Sequence, residues 1–261
     1  MFYLGIADKE GSLSAALPVS AISGKRAGNV SPRRHVCEYF RRQIQGDELV
    51  PVLDASTIRP HRLGAGPPLV LLHALGATRA MWHGLAGLSA HFELIAYDLP
   101  GHGDTPAPPV AYEIEDLADQ LATLLTRLDL PRVHLAGSSL GGMVAQAFAA
   151  TYPGRVDRMV LCDTSPGLSE GARDALAVLP GRGLAHDAAR RADLMDLAEE
   201  IFAPTLVLCA EGADLAMRDG ADFLARSMIR GELAFVPGTV KDVVKERPDW
   251  IARAMETFLG H

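Results

Sequence analysis

Residues 133–148 read VHLAGSSLGGMVAQAF, and this stretch decides the fold. It opens with the apolar run Val133–Ala136, which is typical of a strand buried on both faces. It ends with apolar side chains at every third or fourth position, which predict a helix: Leu140, Met143, Val144, Ala147 and Phe148. Between them lies Gly137-Ser138-Ser139-Leu140-Gly141. Because glycine permits a sharp turn, we expect Ser139 to project above the end of the strand.

A G-x-S-x-G pattern between a strand and a helix predicts a nucleophile elbow. Ser139 then lies at the positive end of the helix, where negative charge that develops on an oxygen is stabilised. The structural alternative is a Gly/Ser turn that only caps the helix. We take Ser139 as the candidate catalytic nucleophile.

Strands and helices alternate on both sides of this turn. Short apolar runs predict further strands at 69–72, 92–97, 156–162, 205–209 and 233–236. Helical periodicity occurs at 114–128 and 251–258. This alternation predicts an α/β fold with a mainly parallel, doubly wound sheet. No strand is predicted between Asp163 and Pro204, and we interpret 164–203 as a short helical lid over the carboxyl ends of the strands.

The first 48 residues differ from the rest in being rich in Gly, Ser and Ala, with little periodicity. We interpret 1–48 as an N-terminal extension, poorly ordered apart from a surface helix around His35–Gln45. Alternatively, it is an arm that packs over the body or over a second subunit, which would make a homodimer. The α/β domain is then 49–261.

Composition narrows the classes of partner. With 48% apolar and 22% charged residues the chain is an ordinary globular protein, and a net charge of −7 provides no basic surface for nucleic acid or anionic lipid. No apolar run is long enough for a membrane span, and no signal-peptide pattern is present, so we expect a cytoplasmic protein with a small-molecule substrate. The three cysteines and nine histidines show no metal-ligand spacing, and no dinucleotide fingerprint occurs, so we expect no cofactor.

Two further loops follow predicted strands, namely His73-Ala74-Leu75-Gly76 and the glycine-rich Asp98–Thr105. With these loops, residues from about Pro67 to Leu259 resemble the α/β-hydrolase superfamily, and within it 3-oxoadipate enol-lactonases and related lactone or ester hydrolases. The matching stretches are Pro67–Gly76 with Met81-Trp82, Tyr97–Thr105, Tyr112–Leu117, Gly137–Val144, Tyr152–Leu161 and Ala203–Leu208.

The resemblance implies an oxyanion hole opposite the serine. In such enzymes one backbone N–H comes from the loop after the first buried strand and one from the residue after the nucleophile. Here these are the N–H groups of Leu75 and Leu140. His73 is expected to hold this loop by hydrogen bonds rather than to act in catalysis.

The catalytic triad implied by the resemblance departs from the family pattern in two places. The family carries its histidine in the order H-x-x-x-x-E-x-P, and here Lys241 occupies that place before Glu246-Arg247-Pro248. The family's acid falls on Ala213, with Asp214 one residue later. Asp163 is the alternative acid, because some relatives place it there.

Without that histidine, several alternatives stay open for Ser139. Lys241 acts as the base if burial favours its neutral amine, or a histidine from elsewhere reaches the serine (His73, His102 or the lid residue His186). Otherwise the pocket belongs to a non-hydrolytic lyase, decarboxylase or cyclase, for instance of secondary metabolism, or to a binding protein with a dead site. The lid arginines Arg182, Arg190 and Arg191 are candidates to meet a carboxylate substrate.

Overall fold

The computed structural model describes residues 53–178 and 183–260, and before these only four short strands. The chain divides into two compact units, Met1–Val50 and Pro51–His261. In the first unit two antiparallel pairs are described: β1 (Tyr3–Ala7) with β2 (Leu13–Pro18), and β3 (Ile44–Gln45) with β4 (Glu48–Leu49). Most of the helix predicted around His35–Gln45 lies outside the described residues, and its last two residues form β3.

The second unit is built on a seven-stranded sheet. Its strands are β5 (His61–Leu63), β6 (Pro68–Leu72), β7 (Glu93–Tyr97), β8 (Val133–Ser138), β9 (Val156–Cys162), β10 (Thr205–Ala210) and β11 (Gly231–Val236). Their order across the sheet is β11-β10-β9-β8-β6-β7-β5. Every pair is parallel except β5 with β7. The predicted α/β fold with a mainly parallel sheet is therefore confirmed.

Helices cover both faces of the sheet. They are α1 (Ile114–Arg127), α2 (Leu140–Thr151), α3 (Glu170–Ala177), α4 (Leu184–Arg191), α5 (Leu215–Ser227), α6 (Val243–Glu246) and α7 (Pro248–Leu259). 3-10 turns occur at Ala55–Thr57, Arg79–Ala90, Pro153–Arg155 and Met195–Glu200. One core cluster joins the sheet to α1, α2, α4 and α5, and a second joins it to Arg79–Ala90, α6 and α7.

Strand β6 shows why the sheet is buried on both faces. Val70 and Leu72 belong to the first core cluster, whereas Leu69 and Leu71 belong to the second. Successive side chains of a strand point to opposite faces, so a strand with two covered faces is apolar throughout.

The strand order places a crevice at the ends of β6 and β8. From β6 the chain continues to β7 on one side, whereas from β8 it continues to β9 on the other. Ligands of open α/β sheets bind where the order reverses in this way, outside the carboxyl ends of the strands. The loop at 73–76 and the turn at Ser139 both begin at this point.

The region interpreted as a lid, 164–203, contains α3, α4 and the turn Met195–Glu200 in its described part, with one isolated bridge between Gly167 and Asp193. The Pro180-Gly181 break lies outside the described residues. In the part of the chain that the structure describes, no helix combines the length and the apolar character that crossing a membrane requires.

Candidate active site

Ser139 forms the turn between β8 and α2 in a strained conformation. Its φ is 48° and its ψ is −113°, a region that residues other than glycine rarely adopt. Three hydrogen bonds hold it: its N–H donates to the Cys162 carbonyl at 3.0 Å, and its own carbonyl accepts from the Met143 N–H at 3.0 Å and from Thr164 Oγ1 at 2.9 Å. The side chain of Ser139 is half-buried, so it stays accessible.

The glycines beside this turn are required by close backbone approaches. A Cβ on Gly141 would lie 2.7 Å from the His73 carbonyl oxygen, and one on Gly137 would lie 2.7 Å from the Gly142 nitrogen. Real Cβ atoms essentially never come so close to another heavy atom. The Gly141 N–H donates to the His73 carbonyl at 3.1 Å, which joins the turn to the loop after β6.

Ser139 faces a cavity of about 340 Å³. The core contributes Leu75, Leu140 and Met143 to its wall. The lid side contributes Leu168, Ala172, Ala175, Leu176 and Ala189. A hydroxyl in an otherwise apolar hollow is the arrangement expected of a small-molecule site.

Two backbone N–H groups beside this cavity lack acceptors among the described residues. Leu140 is the first residue of α2, so its N–H has no intrahelical acceptor. The N–H of Leu75 likewise makes no hydrogen bond to any described residue. Both residues line the cavity together with Ser139.

His73 is buried and fixes the loop that carries Leu75. Its Nδ1–H donates to the Ala74 carbonyl at 2.8 Å, and its Nε2 accepts from the Leu99 N–H at 2.8 Å. Burial lowers the pKa of His73 to about 4, so the ring is neutral. Since both ring nitrogens are occupied, the described geometry leaves His73 no lone pair for Ser139.

An ion pair anchors the neighbouring loop, Asp98–Thr105. The buried carboxylate of Asp98 accepts from the backbone N–H groups of Arg79 at 2.7 Å and Asp104 at 3.0 Å, and it pairs with the Arg79 guanidinium. Burial acts to raise the pKa of Asp98, but these hydrogen bonds and the Arg79 charge outweigh it and hold the pKa below its ordinary value.

His102 and His186 line a second cavity, of about 360 Å³, rather than the one that contains Ser139. His102 Nε2 accepts from the Gly76 N–H at 3.1 Å, and its Nδ1–H donates to the Pro100 carbonyl at 3.2 Å. His186 Nδ1 accepts from the Gly183 N–H at 3.3 Å at the start of α4. Neither histidine lines the Ser139 cavity or makes a described hydrogen bond to the serine.

Lys241 lies on a loop that a carboxylate holds in place. Glu246 accepts from the backbone N–H groups of Val240 at 2.9 Å and Lys241 at 3.2 Å. The Lys241 side chain is exposed, and its amine has no hydrogen bond or ion pair within the described part of the chain.

The two candidate acids bind backbone groups. Asp163 accepts from the Ala210 N–H at 3.0 Å and the Val243 N–H at 2.8 Å, and burial raises its pKa despite these bonds, with the charges of Asp242 and Glu246 acting in the same direction. Asp214 is exposed and caps α5 by accepting from the Met217 N–H at 2.9 Å. Neither carboxylate makes a described hydrogen bond to the Lys241 side chain, although Asp163 holds the backbone two residues after it.

The sequence analysis did not predict the side chains that hold the backbone of this site in place. Thr164, the ion pair of Arg79 with Asp98, and the action of Glu246 on the 240–241 backbone were not predicted. The only signal for Asp98 was its place at the end of a strand. Thr164 carried no signal, because the Ser139 carbonyl that it binds is 25 residues away in the sequence and becomes its neighbour only across the sheet.

Comparison with known proteins agrees with this geometry. The sequence pattern of the α/β hydrolase fold family matches residues 67–212, more than half of the chain, and the chain belongs to this family. The resemblance predicted from the loops is thereby confirmed. The seven-stranded, mostly parallel sheet with its flanking helices is that of an α/β hydrolase.

Among sequence relatives, the pimeloyl-[acyl-carrier protein] methyl ester esterase of Aeromonas salmonicida is 41% identical over 112 residues, 42% of each chain. The 2-hydroxy-6-oxo-2,4-heptadienoate hydrolase of Pseudomonas putida is 41% identical over 106 residues, 39% of this chain and 38% of that protein. The chain therefore spans about two fifths of the length of the curated relatives it matches.

Among solved structures, the enol-lactonase of Burkholderia xenovorans superposes with a TM-score of 0.70 at 25% identity, covering 78% of this chain and 96% of that one. A hydrolase of Pseudomonas aeruginosa superposes with a TM-score of 0.71 at 25% identity, covering 78% and 94%. These four relatives are thus hydrolases, an esterase and an enol-lactonase among them.

Proposed function

We propose that this chain hydrolyses an ester or lactone of a small molecule, with Ser139 as the nucleophile. The observation that carries the proposal is the half-buried Ser139 on a turn with positive φ, facing an apolar cavity. A strained non-glycine residue that hydrogen bonds keep in place is typical of a functional site. The hydrolase relatives support the same reaction class.

The N–H groups of Leu75 and Leu140 form the oxyanion hole in this proposal. Both residues line the cavity with Ser139, and both N–H groups lack acceptors among the described residues. Donors that are already oriented stabilise the charge that develops on a carbonyl oxygen without any reorganisation.

Lys241 is the proposed base, although its side chain is exposed and not buried as the sequence-based expectation required. The loop that carries Lys241 lies at the same end of the sheet as the serine. The Val243 N–H in this loop donates to the Asp163 carboxylate, and the residue before Asp163, Cys162, accepts from the Ser139 N–H. Lys241 is two residues from that contact, and its long side chain adds reach. Asp163, rather than the helix-capping Asp214, then acts by positioning the Lys241 loop.

The reaction balances with these groups alone. Ser139 Oγ attacks the carbonyl carbon while its proton passes to the Lys241 amine, which this step requires in its unprotonated form, and the carbonyl oxygen becomes an oxyanion held by the two N–H groups. Collapse breaks the bond to the leaving oxygen, which takes the proton from Lys241. A water molecule then attacks the acyl-serine in the same way and releases the acid.

Labelling with a fluorophosphonate probe and turnover of a p-nitrophenyl ester test the nucleophile. We expect a covalent adduct on the peptide that contains Ser139, and loss of both adduct and turnover in Ser139→Ala. The neighbouring Ser138→Ala is the matched control and keeps both. An unlabelled, folded protein, or full turnover by Ser139→Ala, overturns the proposal.

Substitutions at Lys241 test the base. We expect Lys241→Ala to lower kcat/KM about 100-fold, the usual contribution of a general base. Lys241→His should raise kcat/KM near neutral pH, because a larger fraction of an imidazole than of an alkylamine is in the unprotonated, basic form there. Lys245 is exposed on the same segment, so Lys245→Ala and Lys245→His are the controls. Equal rates for Lys241→Ala and the wild type refute this role.

One observation favours a second candidate function. No histidine is among the described residues that line the Ser139 cavity. A non-hydrolytic lyase, decarboxylase or cyclase needs the two N–H groups to stabilise an enolate, but it does not need an activated serine. An unlabelled serine together with conversion of a carbonyl substrate identifies this alternative, and tight binding without any conversion identifies a binding protein.

A further inference from the structure

The described residues that line the Ser139 cavity are apolar apart from Ser139 itself. Apart from Ser139, the described lining residues are leucine, methionine and alanine, and none of them carries a charge. Of the lid arginines, Arg191 binds the Glu113 carboxylate at 3.0 Å and the Tyr112 carbonyl at 2.9 Å. The buried Nε of Arg190 makes no hydrogen bond to a described residue, but Arg190 is not among the residues that line the cavity, and Arg182 lies outside the described residues. An ionised group in this cavity would lose its hydration and gain no partner from these residues.

The volume of the cavity limits the group that it holds. At roughly 30 Å³ for each non-hydrogen atom, the space that a water molecule occupies in the liquid, 340 Å³ accommodates about eleven such atoms. A carbonyl group and an aliphatic chain of about eight carbons fill this space.

Small side chains of the lid set the depth of the cavity. Ala172, Ala175 and Leu176 recur at helical spacing on α3, so they share one face, which lines the cavity. Ala189 of α4 closes the wall beside them. Ala172 is half-buried and Ala175 is exposed, so the cavity opens to solvent at Ala175. A longer side chain at Ala172 would shorten the cavity.

We propose that the substrate carries an uncharged, aliphatic acyl group of about six to ten carbons, and that Ala172 determines the length that fits. The inference rests on the proposed function in one respect, since Ser139 must attack the carbonyl of that group. It differs from the sequence-based expectation of a carboxylate substrate, because the described lining offers no cation.

A series of p-nitrophenyl esters from acetate to laurate tests the length. Each methylene taken from water into the cavity should raise kcat/KM about fourfold, levelling off at about eight to ten carbons, where further methylenes reach solvent. Ala172→Leu adds three carbons to the wall and should bring the plateau about three carbons earlier. Ala177→Leu, on the same helix but outside the lining, is the control. Equal rates for acetate and octanoate, or the same plateau in Ala172→Leu, overturn the proposal.

Binding to the Ser139→Ala protein tests the substrate class without any reaction. The probes are methyl ketones from 2-butanone to 2-decanone, titrated by calorimetry. We expect the dissociation constant to fall about fourfold per methylene, and a ketone with a terminal carboxylate to bind at least about 100-fold more weakly than its uncharged analogue. If the ketones bind to Ser139→Ala in this order but the wild type hydrolyses no ester, this inference stands and the proposed hydrolysis is refuted. Ester turnover with no dependence on chain length refutes the inference alone.

Discussion

Replacing His73 by glutamine removes one titrating group from the centre of the site. In the folded protein His73 donates to the Ala74 carbonyl and accepts from the Leu99 N–H, and a glutamine amide retains one donor and one acceptor. At neutral pH the substitution should lower the free energy of unfolding by about 1–3 kcal/mol, because the amide cannot match both positions. The informative quantity is how this difference changes with pH.

The size of this pH-dependent change in stability is set by the pKa of His73, which burial lowers from 6.5 to about 4. Between these values the unfolded chain binds a proton at His73 and the folded chain does not. Stability contributed by the neutral ring is therefore complete above pH 6.5 and is lost as the pH falls towards 4. A pKa lowered to this extent corresponds to about 3 kcal/mol of stability.

Urea unfolding at about pH 7, 6, 5 and 4 measures this loss in the wild type and in His73→Gln. As the pH falls from 7 to 4, the free energy of unfolding of the wild type should decrease by about 3 kcal/mol more than that of His73→Gln. Other titrating groups, such as Asp163, are common to both proteins and cancel in the difference. The exposed His83 provides the control, and His83→Gln should follow the wild type. If wild type and His73→Gln lose the same free energy, His73 is not held neutral by the fold.

Three further predictions concern the supports of the site. Gly141→Ala forces a Cβ against the backbone after β6 and should cost about 3 kcal/mol in urea unfolding, whereas Gly154→Ala, with open space around it, should cost little. Arg79→Met leaves the Asp98 carboxylate buried and without its cation, which should lower the free energy of unfolding by about 3 kcal/mol at neutral pH. Since the pKa of Asp98 is lowered in the fold, the difference in this free energy between the wild type and the variant should shrink as the pH falls below 3.8. Asp163→Asn should gain stability relative to the wild type as the pH rises from about 4 to 7, because the pKa of Asp163 is raised in the fold and its ionisation is unfavourable there. A difference that stays the same across that pH range contradicts the last assignment.

The parts of the fold that sequence predicted best are those with two covered faces. Strand β9 occurs at the predicted residues Val156–Cys162, because its last four residues, Met159–Cys162, form the buried apolar run that is typical of a strand covered on both faces. Strand β5 escaped prediction, since His61–Leu63 are all exposed and pair with β7 through backbone groups. Helix α5 was missed as well, because few of its side chains reach the core.

The candidate active site also has a part that the sequence predicted and a part that it did not. The turn at Ser139 was predictable because its glycines are demanded by steric contacts that a short motif records. The partners of Asp163 and Asp214 were not, because both carboxylates accept from backbone N–H groups, which every residue except proline carries. Spacing in a sequence identifies side chains that act together, but it does not show which amide a carboxylate will bind.

Backbone hydrogen bonds also make the loop that carries Lys241 insensitive to its side chain. Glu246 holds the N–H groups of residues 240 and 241, and Asp163 holds that of Val243. None of these contacts uses the Lys241 side chain, which is exposed. The conformation of the loop is therefore independent of the residue at 241, so that residue can change the chemistry of the site while the fold stays the same. For this reason Lys241→His and Lys241→Ala should unfold at the same urea concentration as the wild type, and any difference in their rates reports on catalysis alone.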